Sequence, residues 1–396
     1  MKPVNVLYLV RTWALGGSHT IIRLLLRHLP RDRFNVITVP YDAPGRGDAD
    51  FIASVRKQGD DVAPDRIPWR SRANWFRARR AVAELICRYD ISLIHTHDTN
   101  SNVLIGLGRD RWPCACVASP YGWWEPEPRR RIRAYHWIEK NLALPRFDRL
   151  ITVSHTMKRK ILAGRAAADR VKVIHTGLDP SQFAGGQTRE AVREELGIAP
   201  EDLVIGTVSR LFREKGHTFL LQAAASIVAD CPRLRLLIVG TGDQREPLEQ
   251  EARALGIRDR VTFTGYYEDL PAALRAMDLF AQPSIQDEGF PTAILEAQLM
   301  GLPVIASNIG GTFETMDVDR TGMLVPPRDA DALAIAMRLL LQDAPRRREM
   351  AAAARPWVEH SFTLIDMIDR VVATYDEAIA HFAATRGGHG SLRGAE

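Results

Sequence analysis

Short apolar runs alternate with helical periodicity along almost the whole chain, and the alternation happens twice. Val4-Asn-Val-Leu-Tyr-Leu-Val10 is a continuous apolar run bounded by turn chemistry, the pattern of a strand covered on both faces. It passes through a glycine-bearing loop at 11–17 into a helical pattern at 18–28, with Ser18 as the candidate N-cap. Further strands are expected at 34–39, 91–95, 114–118, 149–153 and 171–174, with helices over 74–89 and 130–141. The stretch Gly177-Leu-Asp-Pro-Ser-Gln-Phe-Ala-Gly-Gly186 is rich in turn formers and lacks periodicity, so a hinge is placed there. A second series follows, with strands at 203–208, 235–239, 261–263, 279–281 and 303–306 and helices over 219–229, 244–255 and 293–300. At 396 residues the chain exceeds one ordinary core. Each series is therefore read as a doubly wound α/β domain. A last helix is expected over 365–384, and the tail 386–396 carries no core-forming residues and is expected to be disordered.

The formal net charge of +5 conceals a division between the two series. Residues 1–185 carry 31 Lys and Arg against 17 Asp and Glu, and the remainder carries 22 against 31. A basic first half suits an anionic partner such as a phospholipid surface, a lipid-linked pyrophosphate or an acidic glycan; solvated arginine-rich helices would give the same balance. The chain starts almost directly on a strand and has no apolar run near the ~20 residues of a membrane span. The expected location is the cytoplasm, with peripheral attachment to the inner face of the cell membrane left open. Cys87, Cys114, Cys116 and Cys231 lack zinc-ligand spacing and are read as reduced, mostly buried thiols.

Doubly wound sheets carry their ligand contacts beyond the C-terminal ends of the strands, so the residues there are the candidates for chemistry. Gly16 and Gly17 put bare backbone amides at a helix start, where the dipole favours an anion. In Ser209-Arg-Leu-Phe-Arg-Glu-Lys-Gly216, directly after the first strand of the second series, Arg210 can grip phosphate oxygens bidentately and Lys215 adds a second cation. Gly240 and Gly242 lie between a strand and a helix, a weak dinucleotide signal by themselves. In Ile94-His-Thr-His97-Asp98, His97 is preferred to His95 as the ligand-facing imidazole because it is later and more loop-like. Glu288 and Glu296 stand in Pro283-Ser-Ile-Gln-Asp-Glu-Gly-Phe-Pro-Thr-Ala-Ile-Leu-Glu-Ala297, the second inside a helix start. A carboxylate facing the interior there needs hydrogen-bond donors, and ribose or hexose hydroxyls supply them.

The Glu288–Glu296 segment, the Arg210…Lys215-Gly216 loop and the glycine pair resemble the signatures of the family 4 retaining glycosyltransferases of the GT-B fold. The resemblance covers most of the chain and is strongest over 150–330. It implies two Rossmann-like doubly wound domains facing across a cleft: 1–182 for the acceptor and 183–364 for a nucleotide sugar. Residues 365–385 would form a helix crossing back to the first domain. By the same resemblance Glu288 takes donor-sugar hydroxyls and Glu296 the ribose hydroxyls, while Gly289, Phe290, Pro291 and Thr292 line sugar and phosphate. Pro291 has no N–H, which leaves Thr292 as the amide donor. Arg210 and Lys215 hold the leaving diphosphate, Gly16 and Gly17 face the phosphates, and His97 faces the sugar. Gly240 and Gly242 shape the crevice, and the segment holding Tyr266 reads the base through its backbone. Two departures stand out: Ser18-His19 replaces an expected Glu or Gln, and Tyr121-Gly122 stands where many relatives carry His-Gly. Trp123 and Trp124 are left between stacking on a sugar, touching lipid, and core packing.

The implied activity is retaining transfer of a hexose-type sugar from a nucleotide diphosphate sugar to a hydroxyl of a glycan or lipid-linked acceptor, in bacterial cell-surface polysaccharide or glycolipid synthesis. No nucleophile declares itself, so front-face attack is expected, with the departing β-phosphate taking the proton. Another GT-B enzyme such as a nucleotide-sugar epimerase, or a silent glycan- or membrane-binding subunit, are the alternatives. The pairs Asp48/Asp50, Asp317/Asp319 and Asp329/Asp331 spell a carboxylate motif used elsewhere for manganese. They are read as loop and helix-cap residues, with no metal or other cofactor expected. Arginines and aromatics over 69–88, with Arg129-Arg-Arg-Ile-Arg133, could dock on anionic lipid, although a helix packed on its own sheet with arginines outward is the safer reading. No nucleic-acid motif accompanies them, and nucleic acid is not an expected partner.

Overall fold

The computed structural model describes residues 2–10, 17–41, 66–68, 74–123 and 129–386. Gly16, Asp48, Asp50, Trp69, Trp124 and the tail beyond Arg386 lie outside them. The chain divides into two compact units: Met1–His175 together with Ile365–Glu396, and Thr176–Leu364. The division falls seven residues before the 182/183 junction expected from the turn-rich stretch. Backbone pairing is the reason. The Leu178 amide donates to the Phe362 carbonyl at 3.0 Å and Leu178 bridges to Thr363, which binds this stretch to the second unit.

In the first unit, β1 (Val4–Val10), β2 (Phe34–Pro40), β3 (Leu93–Thr96), β4 (Ala115–Ala118), β5 (Arg149–Thr152) and β6 (Val171–Val173) form one parallel sheet in the order β2-β1-β3-β4-β5-β6. Their apolar runs are buried, as strands covered on both faces must be. The first helix, Gly17–His28, starts one residue before Ser18, so Ser18 is in the helix and does not flank it. The Arg130–Ile138 helix continues as a π turn over Glu139–Ala143, which turns Glu139 into the core.

The terminal helix, Leu364–Arg386, belongs to this unit from Ile365 onward. Tyr375 is fully buried against β1, its hydroxyl 2.6 Å from that of Tyr8. Arg33 donates to Asp376 at 2.8 Å, Arg149 and Lys172 both donate to Glu377 at 2.9 Å, and Arg370 donates to the Val173 carbonyl at 2.7 Å. Deeper in the unit, the Arg109 guanidinium donates to Asp148 at 2.7 Å with both side chains buried. Asp148 also takes the Cys116 amide at 2.7 Å and faces His381 of the terminal helix at 3.1 Å.

In the second unit, β7 (Leu203–Val208), β8 (Leu234–Val239), β9 (Val261–Gly265), β10 (Leu279–Gln282), β11 (Val304–Ser307) and β12 (Gly322–Val325) form a parallel sheet in the order β12-β11-β10-β7-β8-β9. Relative to its own first strand this is the 3-2-1-4-5-6 order of dinucleotide-binding sheets. The order reverses between β7 and β10, so the loops after those two strands flank the switch point. β12 is a strand the periodicity did not single out, because only four residues pair and two of them are half-buried. Among the described residues no helix is long and apolar enough to cross a membrane.

Removing Asp148 leaves the Arg109 charge buried without its carboxylate. Asp148→Ala is expected to lower the unfolding free energy by about 3–5 kcal/mol in urea titrations. A loss under about 1 kcal/mol would show that the pair is solvated in solution.

Candidate functional site

The loops after β7 and β10 are strapped together at the switch point. The Ile285 amide donates to the Glu214 carbonyl at 2.9 Å. Gly216 sits at φ 68°, and a Cβ there would overlap the Pro283 carbonyl oxygen, so glycine is required twice over. Across this strap Lys215 Nζ meets Glu288 Oε1 at 2.6 Å, each side chain 15 % exposed. The same oxygen accepts from Ser284 Oγ at 2.6 Å and from Gln282 Nε2 at 3.4 Å. Gln282 in turn donates to Ser284 Oγ at 2.9 Å. Among the described residues none donates to Glu288 Oε2. A carboxylate oriented through one oxygen, with the other available, suits a ligand hydroxyl.

The loop after β11 holds Glu288 from its backbone side. The Gly311 amide donates to the Glu288 carbonyl at 2.8 Å. Gly310, at φ 58°, has no room for a Cβ against the same group. Arg210 lies on the β7 loop with its guanidinium 4.7 Å from the Phe212 ring and 3.7 Å from Glu214. Its side chain is 42 % exposed, so it can still turn toward a ligand. Gly240 and Gly242 bring the β8 loop against this one: a Cβ on either would overlap the carbonyl of Ser209 or Leu211. The Leu211 amide donates to the Thr241 carbonyl at 2.8 Å. Their role in this structure is backbone-on-backbone packing. His217 supports the loop from below through Ser209 Oγ at 3.0 Å, and burial, with Lys215 second, pulls its pKa down to about 4.

Phe290 is buried and packs edge-on against Phe362 at 5.6 Å. Pro291 precedes the Thr292–Leu299 helix without a side-chain cap, which leaves the first amides of that helix to other partners. Gly289 joins Glu288 to this start. Glu296 is half-buried a little over one turn into the helix. Tyr266 follows β9 and is 68 % exposed. Asp329 caps the Ala330–Gln342 helix through the Ala332 amide at 2.8 Å. Asp317 pairs with Arg320 at 3.3 Å, and Asp319 adopts φ 67° in the same turn.

In the first unit the strand order reverses between β1 and β3, and His97 lies just beyond β3. His95 and His97 differ in their partners. His95 uses both nitrogens, Nδ1 with Tyr375 at 2.7 Å and Nε2 with Ser119 at 2.8 Å. His97 Nδ1 meets Tyr121 Oη at 2.8 Å, while its buried Nε2 has no partner among the described residues. Burial, with His19 second, pulls the His97 pKa down to about 3, so the ring is neutral at ordinary pH. Gly17 opens the helix after β1.

Sequence reasoning missed Glu139. Its carboxylate accepts from Asn102 at 2.7 Å and from the Trp123 indole at 2.6 Å, which settles Trp123 as a buried, hydrogen-bonded ring. Thr96 donates to the Asn102 side chain at 2.6 Å, so Glu139 braces the segment containing His97 from two sides. Burial pushes its pKa up to about 7. A lone acid between Trp137-Ile138 and Leu142-Ala143 was the available signal.

Two doubly wound units in one chain, the second with a cation–carboxylate pair at its switch point, define the GT-B class of glycosyltransferase. The chain belongs to glycosyltransferase family 4, group 1: residues 15–182 match the family described as Glycosyltransferase Family 4, and 188–357 match Glycosyl transferases group 1. It is 31 % identical over 338 residues to D-inositol 3-phosphate glycosyltransferase of Nocardia farcinica, covering 80 % of this chain and 72 % of that one. Identity is 27 % over 303 residues to UDP-Gal:alpha-D-GlcNAc-diphosphoundecaprenol alpha-1,3-galactosyltransferase of Escherichia coli, covering 74 % and 77 %. HepE of Anabaena, solved with UDP-glucose, shares the fold with a TM-score of 0.83 at 23 % identity, covering 94 % of this chain and 99 % of that one.

Gly216→Ala would add a Cβ at a left-handed residue already against Pro283, with an expected loss of about 1–3 kcal/mol in the melting of the second unit. Unchanged melting would mean that the β7 and β10 loops are not strapped as described. The Glu139 carboxyl ionises at its ordinary 4.5 when unfolded and near 7 when folded. Its stabilising effect is complete below pH 4.5 and is lost as pH rises through 7, by of order 3 kcal/mol in all. Glu139→Gln should therefore gain stability relative to wild type between pH 5 and 8, and parallel stability curves over that window would refute the assignment.

Proposed function

We propose that the second unit binds a nucleotide diphosphate sugar of the hexose type and that the first unit holds the acceptor, with transfer retaining anomeric configuration. The observation that carries this is the Lys215–Glu288 contact at 2.6 Å at the switch point. It brings together a cation for phosphate and a carboxylate for sugar hydroxyls, from loops 73 residues apart in sequence. A leaving nucleoside diphosphate gains negative charge as its bond to the sugar breaks. Lys215 and Arg210 stabilise that charge where a metal ion would otherwise be needed. Glu288, already neutralised by Lys215, binds hydroxyls and is not free to attack the anomeric carbon. With no other nucleophile at the site among the described residues, the acceptor hydroxyl attacks from the face the diphosphate leaves, and its proton passes to a β-phosphate oxygen. Glu296 takes the ribose hydroxyls, and the amides at Gly289, Phe290 and Thr292, at the helix start, receive the phosphates.

The acceptor is a glycan or a lipid-linked glycan, consistent with a cell-surface polysaccharide or glycolipid pathway. Support comes from the basic first unit, where Phe76 is 81 % and Trp137 54 % exposed beside Arg77, Arg80 and Arg133. The relative in Escherichia coli carries a diphosphoundecaprenol acceptor in its name.

Thermal shift against a panel of nucleotide sugars, with EDTA present, tests the donor site. One nucleotide sugar is expected to stabilise the wild type and to lose its effect in Arg210→Ala. No shift with any nucleotide would overturn the donor reading. Lys215→Ala should reduce kcat by about 10²–10³ once the donor is known. Anomeric proton couplings of the product decide retention against inversion. Flotation with anionic vesicles should recover wild type and recover less of a Phe76→Ser/Trp137→Ser variant; equal recovery on neutral vesicles would remove the charge argument.

A further inference from the structure

Two cations serve the switch point of the second unit, and the empty site uses them unequally. Among the described residues Arg210 faces one carboxylate, Glu214 at 3.7 Å, and its side chain is 42 % exposed. Lys215 is committed: its one side-chain partner among the described residues is Glu288 Oε1 at 2.6 Å, with each side chain 15 % exposed. That oxygen is held twice more, by Ser284 Oγ at 2.6 Å and by Gln282 Nε2 at 3.4 Å, both from buried residues. Oε1 therefore keeps two neutral donors if Lys215 turns away. The carboxylate can lose its cation without losing its orientation.

An incoming diphosphate has to use this committed lysine. An ammonium has three N–H donors and can serve two acceptors, but only by holding both negative groups close to one another. In a nucleotide sugar the β-phosphate is esterified at both ends. A bare nucleoside diphosphate ends in a terminal phosphate that carries roughly one further negative charge at neutral pH, because its second ionisation lies near pH 6. That charge falls on the oxygen to which the sugar was joined, on the side where Glu288 serves the sugar. Glu288 then faces a like charge where much of the water has been removed, and the two repel strongly. With the hexose in place, Glu288 Oε2 meets hydroxyl donors instead. One carboxylate thus disfavours the first ligand and favours the second.

We propose that Glu288 makes the second unit select a nucleotide sugar over the nucleoside diphosphate left after transfer, by holding Lys215 until sugar hydroxyls engage its free oxygen. This rests on the donor reading above and deepens it. Ser284 and Gln282 are positioning residues in the scheme. They fix Oε1, so Glu288 keeps one orientation whether Lys215 is paired with it alone or shared with phosphate. Once the sugar has gone, the carboxylate loses its hydroxyl partners and recovers Lys215, which weakens the hold on the product. Arg210 makes no such close pair and serves both ligands alike.

Titration calorimetry of the full chain in EDTA tests this, with uridine, guanosine and adenosine diphosphates and their glucose, galactose and mannose esters as ligands. Wild type should bind one ester more tightly than the matching diphosphate. Glu288→Gln should bind that diphosphate roughly tenfold more tightly than wild type does and the ester less tightly, so that the preference reverses. Lys215→Ala should weaken both. A diphosphate that gains nothing in Glu288→Gln would overturn the proposal. So would an ester that gains as much as its diphosphate, because Glu288 would then be a repelling charge only. A wild type that prefers every diphosphate to its esters overturns it as well. In each of these cases diphosphate binding that Lys215→Ala weakens leaves the donor reading standing. Binding of no ligand by any of these proteins sinks the donor reading itself. Glu288→Ala supplies the same comparison if the glutamine variant fails to fold.

Discussion

A parallel strand can be followed by another only through a crossover, and this requirement sends every loop that leaves a strand's C-terminal end to the same edge of the sheet. In the second unit the crossovers run one way from β7 to β9 and the other way from β10 to β12. The loops after β7 and β10 therefore have no covering crossover between them. Everything the site uses depends on that gap. The Glu214 carbonyl, Gly216 and Lys215 come from one side, and Ile285, Pro283 and Glu288 from the other.

Backbone contact then sets the spacing. At Gly216, Gly240, Gly242 and Gly310 a neighbouring carbonyl occupies the place of a Cβ. Loops that touch through their main chains cannot slide without breaking several hydrogen bonds, and this rigidity is what a charge-stabilising site needs before any ligand arrives. The 2.6 Å Lys215–Glu288 pair is a product of that spacing. With 15 % exposure on each partner, it has lost much of its water, and the Ser284 and Gln282 hydrogen bonds offset part of the cost.

The first unit uses its polar groups differently. Beside the buried Arg109–Asp148 pair, the first unit holds a neutral network of tyrosines, histidines and a serine, with Glu139 alongside as a carboxyl whose ionisation is postponed to about pH 7. Neutral donors and acceptors can be carried into a dry interior at low cost provided each finds a partner. The terminal helix joins this network through Tyr375, so a segment remote in sequence becomes part of the support beneath His95.

The elements that the sequence determined by itself are those whose signal is local. Apolar runs of strand length revealed β1, β2, β7 and β8, because a strand buried on both faces must be apolar throughout. The loop holding Arg210 and Lys215 and the segment holding Glu288 and Glu296 were legible as motifs, since their residue types and spacing are contiguous. Only the tertiary structure decided what depended on distant partners. It joined Lys215 to Glu288, gave Gly240 and Gly242 a packing role, moved the domain junction to His175 through the Leu178–Phe362 pairing, and separated His95 from His97. Two histidines two residues apart on one strand end differ in sequence by position alone, which favoured His97. What distinguishes them is the Tyr375 hydroxyl, 280 residues away, and no local pattern encodes a hydrogen bond across that separation.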